Sequence, residues 1–341
     1  MKQKEALFYK KLKNEIVQCQ LCPHFCTLKN GERGKCGVRE NKKGKLFSLV
    51  YGKPCSIAVD AIEKKPLFHF WPGTRCLSIA TVGCNLSCLF CQNWEISHPE
   101  KIDFDSFKYI KPKKIVEICK QNKLPGIAYT YTEPGVYAEY ALDCMKMAKK
   151  QGLYNVWVSN GFINSEPAEK VSKYLDAINV DLKGDVKFYQ KLCGIPNEEA
   201  IHKALKIYKK NKVWIEITNL IIPSYNDKPE QIKNLVLWVK ENLGVTTPIH
   251  FSRFYPCYKL TDVEPTRVET LEKAAKIAKD MGMLYIYVGN VYPHEKENTF
   301  CPKCKKLLVK RRLFSIIENN LKKGKCKYCH RKIEGFWGIK N

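Results

Sequence analysis

The stretch TVGCNLSCLFCQNW, residues 81–94, puts Cys84, Cys88 and Cys91 within eight residues, directly after an apolar run. Three thiolates at this spacing can bind three irons of a [4Fe–4S] cube and leave the fourth iron without a protein ligand. An open iron is a place for chemistry. The competing reading, half of a split zinc site, needs a fourth ligand from elsewhere in the chain.

Outward from this loop the chain alternates. Apolar, β-branched and aromatic runs recur at 77–83, 126–131, 154–159, 177–182, 213–222, 248–254 and 284–288. Helix-patterned stretches lie between them at 113–123, 136–151, 166–174, 198–211, 229–243 and 266–281. This alternation predicts parallel strands joined by right-handed helical crossovers, hence an α/β barrel or open sheet. In such barrels the site forms at the carboxyl ends of the strands. The runs end on or pass Cys84, Glu133, Asn160 with Gly161, Asp181 with Lys183, Glu216 with Asn219, Arg253 with Tyr255, and Asn290. The expectation is that these polar groups converge on one rim around the cysteine loop. Each also has a plainer role open to it: Glu133 as a charge at a helix N-terminus, Asn160-Gly161 as a turn pair, and Lys183 as one of many surface lysines. The aromatic-flanked His69, His98 and His250 read as packed side chains rather than ligands.

Eleven of the seventeen cysteines fall into three clusters. Cys301, Cys304, Cys326 and Cys329 form two Cys-x-x-Cys knuckles, with Gly324 just before the second; this reads as a zinc ribbon, a closed four-thiolate site that stabilises a small fold. Cys19, Cys22, Cys26 and Cys36 supply four more thiolates, with Gly31, Gly34 and Gly37 permitting tight turns. They fit either zinc or a second iron–sulfur cluster, with zinc preferred. Cys55, Cys76, Cys119, Cys144, Cys193 and Cys257 are scattered and read as small buried hydrophobes.

Composition bounds the rest. Hydrophobic residues make up 45% and charged residues 27% of 341, which excludes a disordered chain. No run is long and apolar enough for a membrane span, and the charged first residues do not resemble a secretory signal. The thiol-ligand spacing points to a reducing, cytoplasmic setting. The net charge of +25 suits polyanions such as RNA or acidic proteins, but only eight of the 59 basic residues are Arg. A lysine-rich surface is the better reading.

The motifs in combination resemble the pyruvate formate-lyase activating enzyme branch of the radical S-adenosylmethionine (radical SAM) superfamily. The order CxLCPHxC, IEKKPLFHFWPG (62–73), GCNLSCLFCQNWEIS, YTYTEPG, NVDLKG, ITNLIIP and YVGN…CPKC resembles more closely still the radical SAM member of the AmmeMemoRadiSam group. The resemblance covers nearly the whole chain. It implies a partial (β/α)6 radical SAM barrel with a [4Fe–4S] cluster on Cys84, Cys88 and Cys91, and S-adenosylmethionine as cosubstrate. It further implies that Glu133 holds the amino group of S-adenosylmethionine and that Asp181 and Lys183 bind its sugar or carboxylate. Asn160, Asn219 and Arg253 would complete the contacts, with Phe90 against the adenine. Memo-type and AMMECR-type partners and an electron donor of the ferredoxin or flavodoxin kind are implied too.

The sequence thus predicts a Cys-rich segment over 1–75, a barrel over 76–292 and a zinc ribbon over 293–341. The expected function is an oxidoreductase that cleaves S-adenosylmethionine to a 5′-deoxyadenosyl radical and abstracts hydrogen, with a protein as the favoured substrate. The alternatives are radical modification of RNA and a non-catalytic, zinc-containing nucleic-acid-binding protein.

Overall fold

A computed structural model describes residues 4–99 and 101–338. Its centre is one eight-stranded sheet whose spatial order follows chain order. The strands are β1 (Ser56–Ala61), β2 (Arg75–Ala80), β3 (Gly126–Tyr129), β4 (Tyr154–Ser159), β5 (Ala177–Asp181), β6 (Trp214–Ile221), β7 (Ile249–Arg253) and β8 (Ile286–Gly289). β1 is antiparallel to β2, and β2 to β8 are parallel throughout. Between the parallel strands run α1 (Pro112–Gln121), α2 (Ala138–Lys150), α3 (Ser165–Ser172), α4 (Glu199–Lys210), α5 (Pro229–Asn242) and α6 (Val268–Asp280). Six strand–helix units and a seventh parallel strand make the partial barrel that the alternation predicts.

The local chemistry explains the elements. The parallel strands are buried on both faces and read as nearly continuous apolar runs. Each helix needs only one apolar stripe: α4 buries Ile201, Ala204, Leu205 and Tyr208, spaced three, one and three residues apart on one face. Pro112 and Pro229 open α1 and α5, where a missing backbone N–H costs nothing. Residues 56–61, which the sequence reading groups with the N-terminal segment, form the antiparallel edge of the barrel sheet, pairing along six residues of β2.

The N-terminal segment is two small antiparallel sheets. One joins Lys4–Glu5, Lys45–Ser48 and Arg39–Lys42; the other joins Tyr9–Lys11, Val17–Cys19 and Thr27–Leu28. A buried ion pair fastens it to the barrel. The Arg39 guanidinium donates to both oxygens of Glu139 on α2 at 3.0 and 3.1 Å, and Leu7 N donates to the same carboxylate at 2.7 Å.

The stretch 62–73 and the C-terminal module cover the end of the barrel where the strands begin. Glu216, expected at the rim, lies instead near the start of β6. It accepts hydrogen bonds from Phe68 N, His69 N, Trp214 Nε1 and His250 Nε2 at 2.7–3.0 Å. Burial opposes its charge, but His250, His69 and the Phe68 amide outweigh that and hold its pKa below the usual range. This is a correction to the rim assignment. The side chain closes the floor because residue 216 falls early in an eight-residue strand, while Asn219, three positions on, reaches the loop end. The C-terminal module docks on the same floor. Trp71 N donates to Phe336 O and Phe336 N to His69 O, both at 2.7 Å, and Arg311 Nη2 donates to Phe68 O at 2.8 Å. His69 is a packed floor residue, bonded to Glu334 O and to the Tyr287 hydroxyl, and burial pushes its pKa down to about 4.

Candidate active site

At the opposite end, the loop after β2 carries Cys84, Cys88 and Cys91, and the loops after the next strands converge on it. Three loop contacts shape it: Gly83 N donates to Ile96 O, Ser87 N to Cys193 O, and Leu89 N to Leu192 O. Cys91 N closes a turn on Cys88 O at 3.2 Å. Asn160, at the end of β4, donates from Nδ2 to Cys84 Sγ at 3.7 Å and to Asn85 Oδ1 at 2.9 Å. Burial, followed by the charge of Glu133, pushes the Cys84 thiol well above its ordinary pKa.

Glu133 is the rim acid, and it is fully engaged within the chain. Its carboxylate accepts from Gly135 N at 2.9 Å, Asn160 N at 2.8 Å, and the Ser159 hydroxyl at 2.9 and 3.1 Å. It ties the end of β3 to the end of β4. Burial raises its pKa to about 7 despite these donors.

The Asp181–Lys183 pair lies at the end of β5. Lys183 Nζ donates to Asp181 Oδ2 at 2.8 Å, and Asp181 keeps 36% of its side chain exposed. Burial works against the Lys183 charge, but Asp181, Cys88 and Cys193 outweigh it and hold the pKa well above the ordinary value. Asn219 and Asn226 clamp this loop from beneath. Asn219 Nδ2 donates to Leu182 O and Lys183 O, and Asn226 Nδ2 to Lys183 O at 2.7 Å. Asn219 Oδ1 is buried without a partner among the described residues.

Phe90 is 5% exposed, with its ring centroid 5.8 Å from that of Phe188 and Lys183 Nζ 5.7 Å from its face. It packs the cysteine loop against the segment that follows β5. Arg253, at the end of β7, donates to Thr266 O at 2.7 Å and to the Tyr255 hydroxyl at 3.0 Å. The structure thus brings Cys84, Cys88, Cys91, Glu133, Asn160, Asp181 and Lys183 to one rim, with Asn219 below and Arg253 further round.

Three residues that the sequence reading passed over belong to this site. Asn85 lies inside the cysteine motif itself. Ser159 precedes the Asn-Gly turn. Cys193, read as a scattered hydrophobe, sits beside Cys88, and its hydrogen bond holds the Cys88 thiol below its ordinary pKa. The Cys-Gly pair at 193–194 was the available signal. Gly194 has φ +70°, and a Cβ there would lie 2.0 Å from Ser87 Oγ, so a side chain at 194 would be strained and would displace the Ser87 hydroxyl where the two loops meet.

The sulfur spacing tests which metal group the loop fits. Among the described residues, the sulfurs of Cys301, Cys304, Cys326 and Cys329 lie within 4.8 Å of one another, and those of Cys84, Cys88 and Cys91 do not form such a group. Thiolates sharing one ion must lie close together, whereas thiolates on separate irons stand apart. The rim loop therefore fits a cluster and the C-terminal set fits a single tetrahedral ion. In the latter, Cys301 and Cys329 Sγ are 3.6 Å apart, and Cys304 and Cys326 Sγ 3.7 Å.

A seven-stranded parallel partial barrel with a three-thiol loop at its carboxyl rim defines an enzyme built around a metal cluster. Comparison gives the family. Residues 78–252 match the model of the radical SAM superfamily. The chain is 46% identical over 335 residues to an uncharacterised protein of Methanocaldococcus jannaschii, spanning 97% of this chain and 99% of that one. It is 24% identical over 231 residues to the pyruvate formate-lyase 1-activating enzyme of Escherichia coli, spanning 62% and 91%. The crystal structure of Streptococcus suis SuiB bound to S-adenosylmethionine resembles it in fold, with a TM-score of 0.50 at 17% identity over 71% of this chain and 56% of that one. The chain belongs to the radical SAM superfamily, in its activating-enzyme-like branch, and is an enzyme of that class. No helix among the described residues is long and apolar enough to cross a membrane.

Proposed function

We propose that this enzyme binds S-adenosylmethionine at the rim, generates a 5′-deoxyadenosyl radical and abstracts hydrogen from a protein substrate. The observation that carries the reading is the three-thiol loop at the carboxyl ends of the parallel strands, bonded through Asn160. Cys84, Cys88 and Cys91 would hold a [4Fe–4S] cluster, which supplies an electron and an open iron for the amino acid end of S-adenosylmethionine. Lys183, kept charged by Asp181, supplies a cation for a carboxylate, and the partly exposed Asp181 accepts hydrogen bonds from ribose hydroxyls. Arg253 offers a second cation on the substrate side. Glu133, Asn160 and Asn219 position these groups, and Phe90 anchors the cysteine loop by packing against Phe188.

The similarity to activating enzymes supports a protein substrate and a low-potential electron donor of the ferredoxin or flavodoxin kind. The AmmeMemoRadiSam motif order supports Memo-type and AMMECR-type proteins as partners. Zinc is our reading of the C-terminal four-cysteine site, and the cytoplasm our reading of the compartment, from the thiol-ligand spacing. The test is an anaerobic assay with S-adenosylmethionine and reductant, following 5′-deoxyadenosine and deuterium transfer from candidate proteins. Replacing Cys84, Cys88 and Cys91 by Ala should abolish 5′-deoxyadenosine formation while the far-ultraviolet circular dichroism stays that of the wild type. Retained formation would overturn the reading.

A further inference from the structure

The N-terminal cysteines have no part in the rim chemistry, yet the fold gathers them beside it. Cys19 N donates to Cys26 O at 3.0 Å across a hairpin, and the turn at Gly34–Gly37 carries Cys36 back toward them. A Cβ on Gly34 would sit 3.6 Å from Cys26 Sγ. The Cys36 thiol is close enough to Cys19 and Cys26 to feel their charge, and Cys22 to feel that of Cys36 and Cys19.

The group is built onto the catalytic loop. His24 Nε2 bonds Asn85 O at 2.7 Å. The Asn85 side chain accepts from Asn160 Nδ2, which also donates to Cys84 Sγ. Cys36 O lies 2.7 Å from where a Gly83 Cβ would be. Asn164, just beyond the β4 loop, donates to Leu21 O and Gln20 O at 3.0 and 2.8 Å.

Sulfur spacing separates the two candidate metals. Among the described residues, the only sulfurs of three or more that close to within 4.8 Å are the C-terminal four. Four thiolates on one zinc, each at about 2.3 Å, must be closer than that. No three of the N-terminal four sulfurs close to that distance, as one shared ion would require, whereas thiolates on separate corner irons need not.

We infer that Cys19, Cys22, Cys26 and Cys36 hold a second [4Fe–4S] cluster, ligated at all four irons, beside the catalytic loop. With no open iron it offers no second place for S-adenosylmethionine. This reading departs from the preference for zinc drawn from the glycine-rich spacing.

The test is metal analysis of the full chain, prepared anaerobically. Wild type should carry about eight irons and about one zinc. The variant with Cys84, Cys88 and Cys91 replaced by Ala should keep about four irons and a reducible cluster whose electron paramagnetic resonance signal S-adenosylmethionine does not change. Cys22→Ala with Cys36→Ala should keep about four irons and a signal that S-adenosylmethionine does change. Wild type with about four irons and about two zincs would overturn the inference, as would about four irons and no metal at the N-terminal four. An iron content unchanged by the triple replacement would instead overturn the catalytic cluster of the proposed function. The wild-type totals decide the matter even where a variant fails to fold.

Discussion

Glu133 ties two strand ends together at the rim through its carboxylate. Both oxygens are taken by donors of the chain, and the carboxyl is buried with a pKa near 7 instead of 4.5. Between these values the folded chain binds more protons than the unfolded one. Its contribution to stability is therefore full below about pH 4.5 and is lost as the pH rises through about 7. The span corresponds to about 3 kcal/mol. Urea denaturation of the metal-free chain between pH 5 and 8 should show this slope, and Glu133→Gln should flatten it. The same scale holds a second prediction. Asn160 donates to the Cys84 sulfur, and hydrogen bonds to cluster sulfurs raise the reduction potential. Asn160→Ala should shift the catalytic midpoint to more negative values with the iron content intact, as read by potentiometric titration.

Among the elements, the cysteine loop depends on contacts from segments far away in sequence. Gly83 has φ +99°, and a Cβ there would lie 2.6 Å from Val38 Cγ1 and 2.7 Å from Cys36 O. No side chain fits unless the N-terminal segment lifts off. Gly83→Ala should cost about 2 kcal/mol or more and raise the solvent accessibility of the N-terminal cysteines to thiol reagents. The ion pair between Arg39 and Glu139 secures the same docking. Arg39→Met leaves the carboxylate buried and unpaired and should cost about 3–5 kcal/mol in chemical denaturation, while adding Glu139→Leu should restore much of that.

The whole molecule is a barrel with a cysteine-rich module at each end. The N-terminal cysteines meet the catalytic rim, and the C-terminal four-cysteine module meets the floor, where Phe336, Arg311 and Glu334 bond to Trp71, Phe68, Tyr285 and the His69 backbone. Replacing Cys326 and Cys329 by Ala should release one metal ion and loosen the floor. Losing the three backbone-anchored bonds, at roughly 1 kcal/mol each, should cost about 3 kcal/mol. Iron content and rim chemistry should persist, as metal analysis and the 5′-deoxyadenosine assay would show.

Much of this was written in the chain. The alternating runs placed all seven parallel strands and all six barrel helices to within a few residues, because burial on both faces leaves strands continuously apolar and helices striped. The spacing of Cys84, Cys88 and Cys91 marked the catalytic loop, since ligands on one loop must be near one another in sequence. Tertiary structure decided what depends on distance between segments. Glu216 is a floor residue because the peptide amides of 68 and 69 and His250 converge on it, and no local pattern carries that. Glu133 is engaged because Ser159 and Asn160 come from the neighbouring strand. Spacing could not separate zinc from a cluster at Cys19, Cys22, Cys26 and Cys36, because both need four thiolates.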